Sequence, residues 1–214
     1  MKHLPFVVAD IGGTNARFGL VTARNEDTGR FVIEQIQVLP CADFAKFEDV
    51  LSAYKELIHG EKPLGACVAI AGPVTGDRIK MTNLSWEFSV KEVTKQFQFE
   101  SLEVINDFGA QAYATLYMPE PELPVIKPGD ELPVAPRAII GPGTGLGVAG
   151  LVSVAGRWIP ICGEGGHITY APTSDVEVAI RDVIQPSGKH VSVEKFVSGP
   201  GLKNIYTALR SEEH

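Results

Sequence analysis

Two glycine-rich turns, each between apolar segments, could surround the oxygens of phosphate groups. The first is Asp10–Asn15 and the second is Gly141–Gly147. Glycine lets a ligand approach the backbone closely, and the exposed N–H groups of such a turn can donate to phosphate oxygens. Neither turn ends as a P-loop does or opens a helix as a dinucleotide-binding turn does. A single turn would be explained more simply as a hairpin turn, but the duplication, with Asp10 and Thr14, favours a nucleoside triphosphate.

An aspartate that follows an apolar segment could act as a general base. Asp107 comes after Leu102–Ile105 and Asn106, so it is predicted at the carboxyl end of a buried strand, where open α/β sheets bind ligands. A carboxylate held there can accept the proton of an alcohol that attacks a phosphoryl group, an effect of about 10²–10⁴-fold. The pair Asn106-Asp107 is equally well explained as the N-cap of the next helix, and the two roles are compatible.

A short loop places an acid and an imidazole three residues apart among glycines, as Glu164 and His167. Zinc would need a third and a fourth ligand at recognisable spacing, which favours hydrogen bonding to a polyhydroxylated ligand. A flexible acidic loop is the alternative. Two further polar residues have local explanations: Glu194 stands in the first turn after Ser192, where the helix dipole favours an acid, and Asn83 suits a turn.

The charge balance excludes several partners. The 214 residues carry 19 Lys and Arg against 26 Asp and Glu, a formal net charge of −7, which argues against nucleic acid and anionic membrane surfaces. The apolar start is too short for a signal peptide, and no run approaches the length of a membrane span. The three cysteines are predicted to be buried structural thiols in a reducing compartment. These features predict a cytoplasmic protein.

The first 118 residues are predicted to form a three-stranded meander, a helix, and then alternating strands and helices. Apolar runs and capping signals place the elements. The predicted strands are Phe6–Ala9, Ala16–Val21, Phe31–Leu39, Leu64–Ala71, Arg78–Thr82 and Leu102–Ile105, and the predicted helices are Phe44–Ile58 with Asp43 as N-cap, Ser89–Phe97, and Phe108–Met118.

The second half begins by repeating the first. Residues 119–136 contain six prolines and are predicted to connect two lobes, 1–118 and 137–214. Beyond them, strands are predicted at Arg137–Ile140, Val148–Val154 and Trp158–Ile161, and helices after Ser174 and Ser192. The strand-helix-strand-helix of residues 64–118 has no counterpart there. The second lobe is therefore expected to be incomplete. Its exposed strands are expected to cause self-association, further truncation or partial disorder of that lobe, and the 214-residue chain is expected to show little or no turnover.

Six segments, taken together in this order, resemble the bacterial glucokinases. They are Asp10–Arg17, Met81–Trp86, Ile105–Phe108, Gly143–Val148, Gly163–His167 and Ser198–Leu202. The resemblance runs from about residue 5 to 210 and implies an α/β, actin-like (ribonuclease-H-like) ATPase fold of two lobes, with glucose and ATP meeting in the cleft. It implies ATP and Mg²⁺ as cofactors, phosphorylation of glucose at its 6-hydroxyl, and a homodimer for the complete protein.

The resemblance also implies roles for individual residues. Asp107 would be the base, and the sugar hydroxyls would contact Asn83, Asn106, Glu164, His167 and Glu194. The phosphates would be held by Asp10, Gly12, Gly13, Thr14, Asn15, Gly143, Thr144, Gly145 and Gly147, with Asp10 also holding the metal. Two other classes stay open: a glucose-binding fragment without turnover, and an actin-like ATPase scaffold, which would leave the loop from Glu164 to His167 unexplained.

The chain departs from the related patterns in two ways. The related repressors and open-reading-frame kinases carry a cysteine-rich zinc loop after their Glu-x-x-His segment, whereas only Cys162 stands nearby here, which places the resemblance with the zinc-free glucokinases. The family also continues past this point with an adenosine-binding segment.

Overall fold

The chain forms two compact units in the computed structural model, which describes residues 4–60, 62–118, 124–130, 132–185 and 189–211. Unit 1 extends to Ala110 and includes Tyr117 and Met118, and unit 2 contains Gln111–Leu116 and the described residues from 124 onwards. The predicted lobes 1–118 and 137–214 and the connector 119–136 stay predictions. Residues 119–123 and 131 of that connector, and 212–214 at the C-terminus, lie outside the described residues.

Unit 1 is built on a five-stranded sheet. Its strands are β1 (Phe6–Ile11), β2 (Asn15–Arg24), β3 (Phe31–Pro40), β4 (Gly65–Ile70), the short pair β5 (Arg78–Lys80) and β6 (Glu87–Ser89), and β7 (Ser101–Asn106); its helices are α1 (Phe47–Leu57), α2 (Val90–Phe97) and the start of α3 (Asp107–Ala114). The order in the large sheet is β3-β2-β1-β4-β7. The first three strands form the predicted antiparallel meander, and β4 and β7 run parallel to β1.

The core of unit 1 lies on one face of this sheet. Alternate residues of β1, namely Val7, Ala9 and Ile11, are buried in one cluster with residues of α1 and α2, as the period of a strand requires. Phe18 stacks on Tyr54 of α1 with ring centroids 4.8 Å apart. Burial raises the pKa of Tyr54 to about 12, and its hydroxyl donates to the carbonyl of Gln35. Packing of α1 against the sheet is therefore a main contact of the unit 1 core, and α1 is the anchor of this core in that sense.

The parallel register brings three strand ends to one edge. Ile11, Ile70 and Asn106 are neighbours across β1, β4 and β7, so all three strands end in the same row. Adjacent strands lie about 4.8 Å apart. The turn after β1, the residues after β4 and the start of α3 therefore occupy a common edge, the carboxyl edge at which open α/β sheets bind ligands.

Unit 2 contains a three-stranded antiparallel sheet. Its strands, in the order β10-β9-β8, are β8 (Arg137–Pro142), β9 (Leu146–Val154) and β10 (Arg157–Gly163), and its helices are α4 (Asp175–Ile184) and α5 (Gly199–Ser211). A separate small core contains Ile180 of α4, Ala208 of α5, and Val191 and Phe196 of the segment between these helices. In the described part of this unit no strand runs parallel to another. Ile140, Ile159 and Ile161 are exposed on the sheet.

The structure confirms most predicted elements and corrects several boundaries. Both turns are shorter than predicted: Asp10 belongs to β1 and Asn15 to β2, while Gly147 pairs with Gly141 inside the second hairpin. The Ser89 hydroxyl accepts from the N–H of Glu92 and caps α2, as predicted.

Two predicted helix starts are wrong. Helix α1 begins at Phe47 after Lys46, whose side chain makes no capping bond, and Asp43 belongs to a 3₁₀ turn, Cys41–Asp43. Ser192 caps no helix with its side chain, whereas the Ser198 hydroxyl accepts from the N–H of Gly201 at the start of α5.

The cysteines are less uniform than predicted. Cys41 is buried, Cys67 is half-buried and Cys162 is exposed, so the prediction of three buried thiols is wrong for Cys162. Burial raises the pKa of the Cys41 and Cys67 thiols, which keeps both protonated and unreactive at neutral pH. Within the described ranges no helix is both long and apolar enough to cross a membrane.

Replacing Leu51 by alanine should destabilise unit 1 specifically. Leu51 lies on α1 and is fully buried, so Leu51→Ala should lower the free energy of unfolding by about 2–5 kcal/mol. Leu57→Ala on the same helix is the matched control, because Leu57 is 45% exposed and should cost about 1 kcal/mol or less.

Urea unfolding followed by tryptophan fluorescence measures both variants. The chain has two tryptophans, and a Trp158→Phe background leaves only Trp86, which is buried in the core of unit 1. Equal losses for the two leucines would contradict the assignment of α1 as the anchor of this core.

Candidate functional site

The first glycine-rich turn is held by hydrogen bonds from two sides. The N–H of Gly12 donates to the carbonyl of Asn15 at 3.0 Å, which closes the turn, and the N–H of Cys41 donates to the carbonyl of Thr14 at 2.8 Å. The Cys41 thiol also donates to the carbonyl of Gly12, with the sulfur 3.6 Å from the oxygen. The chain after β3 therefore fixes this turn, while Thr14 stays exposed.

Asn83 lies directly against the first turn. A Cβ added to Gly13 would stand 2.9 Å from the Cβ of Asn83, which is closer than real side chains pack, so this position requires glycine. The neighbouring Thr82 hydroxyl donates to the carbonyl of Ala71 at 3.0 Å. The loop between β5 and β6 is thereby attached to the same sheet edge as the turn.

Asp10 projects beside this turn with a basic neighbour. It is paired in the β1–β2 register with Arg17, whose Nη1 lies 3.6 Å from Asp10 Oδ2, and both side chains are more than half exposed. The described residues contain no group of three or more His, Cys, Asp and Glu that could hold a metal. An exposed carboxylate, here paired with Arg17, fits the mode in which Mg²⁺ keeps several waters and is held by one or two carboxylates and substrate phosphates.

Asn106 and Asp107 stand at the junction of β7 and α3. The Asn106 side chain donates to the carbonyl of Gly72 at 3.1 Å and accepts from the N–H of Gly109 at 3.0 Å. The predicted N-cap role is thus confirmed for Asn106, which also ties α3 to the segment after β4. Asp107 is half-buried, and its Oδ1 accepts from the N–H of Phe108 at 2.8 Å. Its role as a base stays a prediction.

In unit 2, the second glycine-rich turn meets the start of α5. The N–H of Gly143 donates to the carbonyl of Gly145, and the N–H of Gly199 donates to the carbonyl of Gly143, each at 2.9 Å. A Cβ on Gly145 would lie 2.8 Å from Oε2 of Glu194. Glycine at this position therefore leaves the space that the Glu194 carboxylate occupies.

Three predicted sugar-binding residues form one cluster in unit 2. The Nδ1 of His167 lies 3.4 Å from Oε2 of Glu164, and its Nε2 lies 3.5 Å from Oε1 of Glu194. Glu194 is 19% exposed, whereas the other two side chains are more than half exposed. The Ser192 hydroxyl donates to Oε1 of Glu194 at 3.4 Å. The imidazole thus lies between two carboxylates, and one of them, that of Glu194, accepts a hydrogen bond from Ser192.

Two glycines bring His167 to this cluster. It ends a 3₁₀ turn, Gly165–His167, which packs on the start of β9. A Cβ on Gly165 would stand 2.8 Å from the Cβ of Val148, and one on Gly166 would overlap the carbonyl oxygen of Leu146, whereas Gly163 has open space. The consecutive glycines are therefore needed for packing, which argues against the alternative of a flexible acidic loop.

Each unit thus brings together part of the predicted set. In unit 1, Gly13 contacts Asn83, and Asn106 and Asp107 follow the strand at the common edge. The sequence does not predict the residues that support these site residues, namely Cys41, Gly72 and Thr82 in unit 1 and Ser192 in unit 2. The one local signal is Ala71-Gly72, a small and a flexible residue after an apolar strand, whose carbonyls accept from Thr82 and Asn106.

The cluster in unit 2 suits a ligand with several hydroxyl groups. A carboxylate only accepts hydrogen bonds and a neutral imidazole both donates and accepts, so two carboxylates flanking a histidine can satisfy adjacent hydroxyls of one molecule. The Glu194 carboxylate, being mostly buried and already bonded to Ser192, presents a fixed orientation. Fixed acceptors of this kind provide specificity in a small-molecule site.

Comparison with known proteins gives one consistent result. The family model described as Glucokinase matches residues 7–214. A glucokinase of Saccharophagus degradans is 48% identical over 209 residues, which are 98% of this chain and 64% of that protein, and one of Chromohalobacter salexigens is 43% identical over 95% of this chain and 62% of its own length. The chain therefore spans less than two thirds of the length of these relatives.

Solved structures agree with the sequences. The crystal structure of a glucokinase from an Antarctic psychrotroph superposes with a TM-score of 0.84 at 41% identity, covering 98% of this chain and 65% of that one. A glucokinase of Balamuthia mandrillaris, at 24% identity and a TM-score of 0.69, shares the fold. The predicted α/β, actin-like sugar-kinase fold is confirmed, and the chain belongs to the glucokinase family.

Proposed function

We propose that the chain takes part in the ATP-dependent phosphorylation of D-glucose at its 6-hydroxyl. The observation that carries this proposal is the cluster in which His167 lies between Glu164 and Glu194. Such a cluster can form hydrogen bonds with adjacent hydroxyls of a sugar. It would have no role in an ATPase scaffold that binds no sugar. Relatives named glucokinase at 42–48% identity support the same activity.

The sugar would be oriented by hydrogen bonds of this chain. Glu164 and Glu194 would accept from hydroxyls, and His167 would donate or accept according to its tautomer. In unit 1, Asn83 and Asn106 would add amide groups, and the contacts of Asn106 with Gly72 and Gly109 keep its side chain in one orientation. A fixed set of polar groups is what allows a site to discriminate between hydroxylated ligands.

Asp107 would act as the general base. Its carboxylate would take the proton of the 6-hydroxyl as the oxygen forms a bond to the γ-phosphorus of ATP, and the bond from that phosphorus to the β-γ bridging oxygen would break with ADP as leaving group. Positioning and charge stabilisation supply most of the catalysis in phosphoryl transfer. The start of α3 provides a rigid position for this carboxylate, because its neighbour Asn106 caps the helix.

The glycine-rich turns would contact the phosphates through those backbone N–H groups that do not already donate within the turns, as the N–H groups of Gly12 and Gly143 do, and through the close approach that glycine allows. The first turn offers Gly12, Gly13, Thr14 and Asn15, and the second offers Gly143, Thr144, Gly145 and Gly147. Asp10 would hold Mg²⁺ bound to ATP, whose charge would offset that of the phosphates. We further propose a cytoplasmic location, which the acidic charge and free thiols of the chain support, and a homodimer for the complete protein, which rests on the resemblance to the bacterial glucokinases.

Two measurements test the proposal. Calorimetry with glucose measures sugar binding, and an assay coupled to ADP formation, with ATP and Mg²⁺, measures turnover. Glucose binding without turnover in any form of the protein would favour a sugar-binding role instead. ATP hydrolysis that is insensitive to glucose would favour the scaffold. The expectation that the 214-residue chain alone has little turnover stays a prediction, tested by the same assay.

Asp107→Asn should abolish most turnover while leaving glucose binding intact. Asparagine retains the oxygen that accepts from Phe108 but cannot take a proton at neutral pH, so kcat should fall by about 10²-fold or more. The measurement is kcat in a form of the protein that phosphorylates glucose, together with calorimetry. Asp27→Asn, in an exposed loop of unit 1, is the control. A kcat within a few-fold of the unmodified protein would remove Asp107 from the chemistry.

Glu164→Gln should weaken glucose binding more than ATP binding. The amide donates where the carboxylate accepted, so a sugar hydroxyl and the His167 ring both lose a partner, and the affinity should fall by about tenfold or more. Calorimetry with each ligand gives the two affinities. The matched control is Glu56→Gln, exposed on α1. Equal losses for glucose and ATP would indicate a general folding role for Glu164.

Gly166→Ala should weaken glucose binding without touching any ligand-binding side chain. The added methyl overlaps the carbonyl oxygen of Leu146, and relief of that overlap moves the 3₁₀ turn that carries His167. We expect a loss of affinity of about tenfold. Gly163→Ala adds the same methyl into open space three residues earlier and should leave the affinity within about twofold. Equal affinities for the two variants would show that the turn tolerates displacement.

A further inference from the structure

A second polar cavity in unit 2 is lined by residues that the proposed function does not use. It has a volume of about 380 Å³ and lies between the C-terminal half of α4 and the segments around residues 169 and 190. We call it the α4 cavity, and its lining residues are Thr169, Tyr170, Arg181, Gln185, Lys189, His190 and Val191. A volume in this range is typical of sites for small organic ligands.

Basic side chains line the α4 cavity of a chain that is acidic overall. The protein carries a formal net charge of −7, yet Arg181, Lys189 and His190 line this cavity, and the described lining residues include no carboxylate. Two carboxylates of α4 bond to lining residues. Glu177 accepts from the hydroxyl of Tyr170 as well as from the N–H and hydroxyl of Thr173, and Oδ1 of Asp182 accepts from Nε and Nη2 of Arg181.

The ion pair with Asp182 orients the Arg181 guanidinium but engages only some of its N–H donors. Asp182 engages one edge of the guanidinium, at 2.9 Å and 2.7 Å, and a guanidinium has five N–H donors in all. The donors at Nη1 therefore remain for a second acceptor. A planar, pre-oriented fork of this kind is the usual partner of phosphate and carboxylate groups in proteins.

The wall opposite α4 is held by backbone hydrogen bonds. Thr169 and Ser192 form an antiparallel bridge, flanked by bonds from the N–H of Tyr170 to the carbonyl of Val191 at 2.8 Å and from the N–H of Val193 to the carbonyl of Ile168 at 3.0 Å. The Tyr170 ring stacks on Phe196 with centroids 3.7 Å apart. Backbone hydrogen bonds and ring stacking therefore fix this wall.

The imidazole of His190 is also positioned by a neighbour in the α4 cavity. The Thr169 hydroxyl lies 3.1 Å from its Nδ1, so the hydroxyl restrains the ring from one side and leaves Nε2 for another partner. Lys189, next to it in the chain, and Arg181 of α4 line the same cavity. The lining therefore includes an ammonium, an imidazole and a guanidinium group.

We propose that the α4 cavity binds the phosphoryl group of a small anionic ligand. A phosphate dianion presents several acceptor oxygens and matches one arginine, one lysine and one histidine better than a monoanionic carboxylate does. The volume leaves room for a small organic body beside the phosphoryl group, so a phosphate monoester and free phosphate share the chemistry that is recognised. The inference does not rest on the proposed function, because none of the lining residues is assigned to glucose or ATP.

Calorimetry on the 214-residue chain at low ionic strength tests this inference, since salt screens exposed charges. The probes are inorganic phosphate, glycerol 3-phosphate and glycerol. Phosphate and glycerol 3-phosphate should bind and glycerol should not. Tighter binding of glycerol 3-phosphate would identify a monoester as the ligand, and equal binding would identify free phosphate. No heat of binding for either anion at millimolar concentration would overturn the proposal.

Substitutions locate the binding. Lys189→Gln should weaken phosphate binding by about tenfold or more, because it removes a charge-assisted hydrogen bond, and His190→Ala should weaken it by removing the imidazole group from the cavity. Lys203→Gln, an exposed lysine of α5 outside the cavity, removes the same charge and should change the affinity by less than about twofold. Trp158 fluorescence checks that each variant is folded. Phosphate binding that is equal in all three variants would place it at the glycine-rich turns and overturn the proposal.

Discussion

The close approach of the 3₁₀ turn Gly165–His167 to β9 is the contact on which the cluster of Glu164, His167 and Glu194 depends. Two consecutive residues without side chains let the backbone lie against Val148 and Leu146, so His167 emerges next to Glu194, which belongs to a segment nearly thirty residues later in the chain. Any side chain at either glycine would push the turn away from the strand. The geometry of the cluster thus depends on the absence of side chains at Gly165 and Gly166 as much as on the three polar side chains.

Unit 1 solves a similar problem by strand register. Three parallel strands end in one row at Ile11, Ile70 and Asn106, and the buried face of the sheet prevents a shift, because a slip of one residue would expose every core side chain of a strand. The side chains at that edge are then held by short bonds to backbone, such as those from Asn106 to Gly72 and from Thr82 to Ala71. The positions of polar groups therefore follow from the packing of apolar ones.

Much of this could be predicted from the sequence, and the failures have a common physical cause. The strands, the cap at Ser89 and the short helix that follows were readable because their signals are local. The start of α1 was not, since Asp43 is a good capping residue on local grounds but the chain there forms a 3₁₀ turn whose N–H at Cys41 is bonded to the first glycine-rich turn. Tertiary hydrogen bonds outweighed capping preference.

Glu194 illustrates the same limit at the candidate site. From its local sequence, Glu194 is predicted in the first turn of a helix, where the helix dipole favours an acid. In the structure it stands in a three-residue 3₁₀ turn, Val193–Lys195, and its carboxylate lies next to His167 and Ser192. The pairing of residue 169 with residue 192 and the flanking backbone hydrogen bonds bring that turn to the cluster, and these contacts join segments more than twenty residues apart in the sequence.

The two glycine-rich turns show how a repeated motif can acquire different supports. In unit 1 the turn is bonded to Cys41 and packed on Asn83. In unit 2 the corresponding turn accepts from the N–H of Gly199 at the start of α5 and leaves space for Glu194 at Gly145. The side chain that reaches each turn therefore differs: an uncharged amide in the first and a carboxylate in the second. A carboxylate 2.8 Å from the ideal Cβ position of Gly145 disfavours a phosphate oxygen at that point by charge repulsion. Because the N–H of Gly143 already donates to the carbonyl of Gly145, Thr144 is the residue of the second turn at which a phosphate oxygen would be accepted most readily.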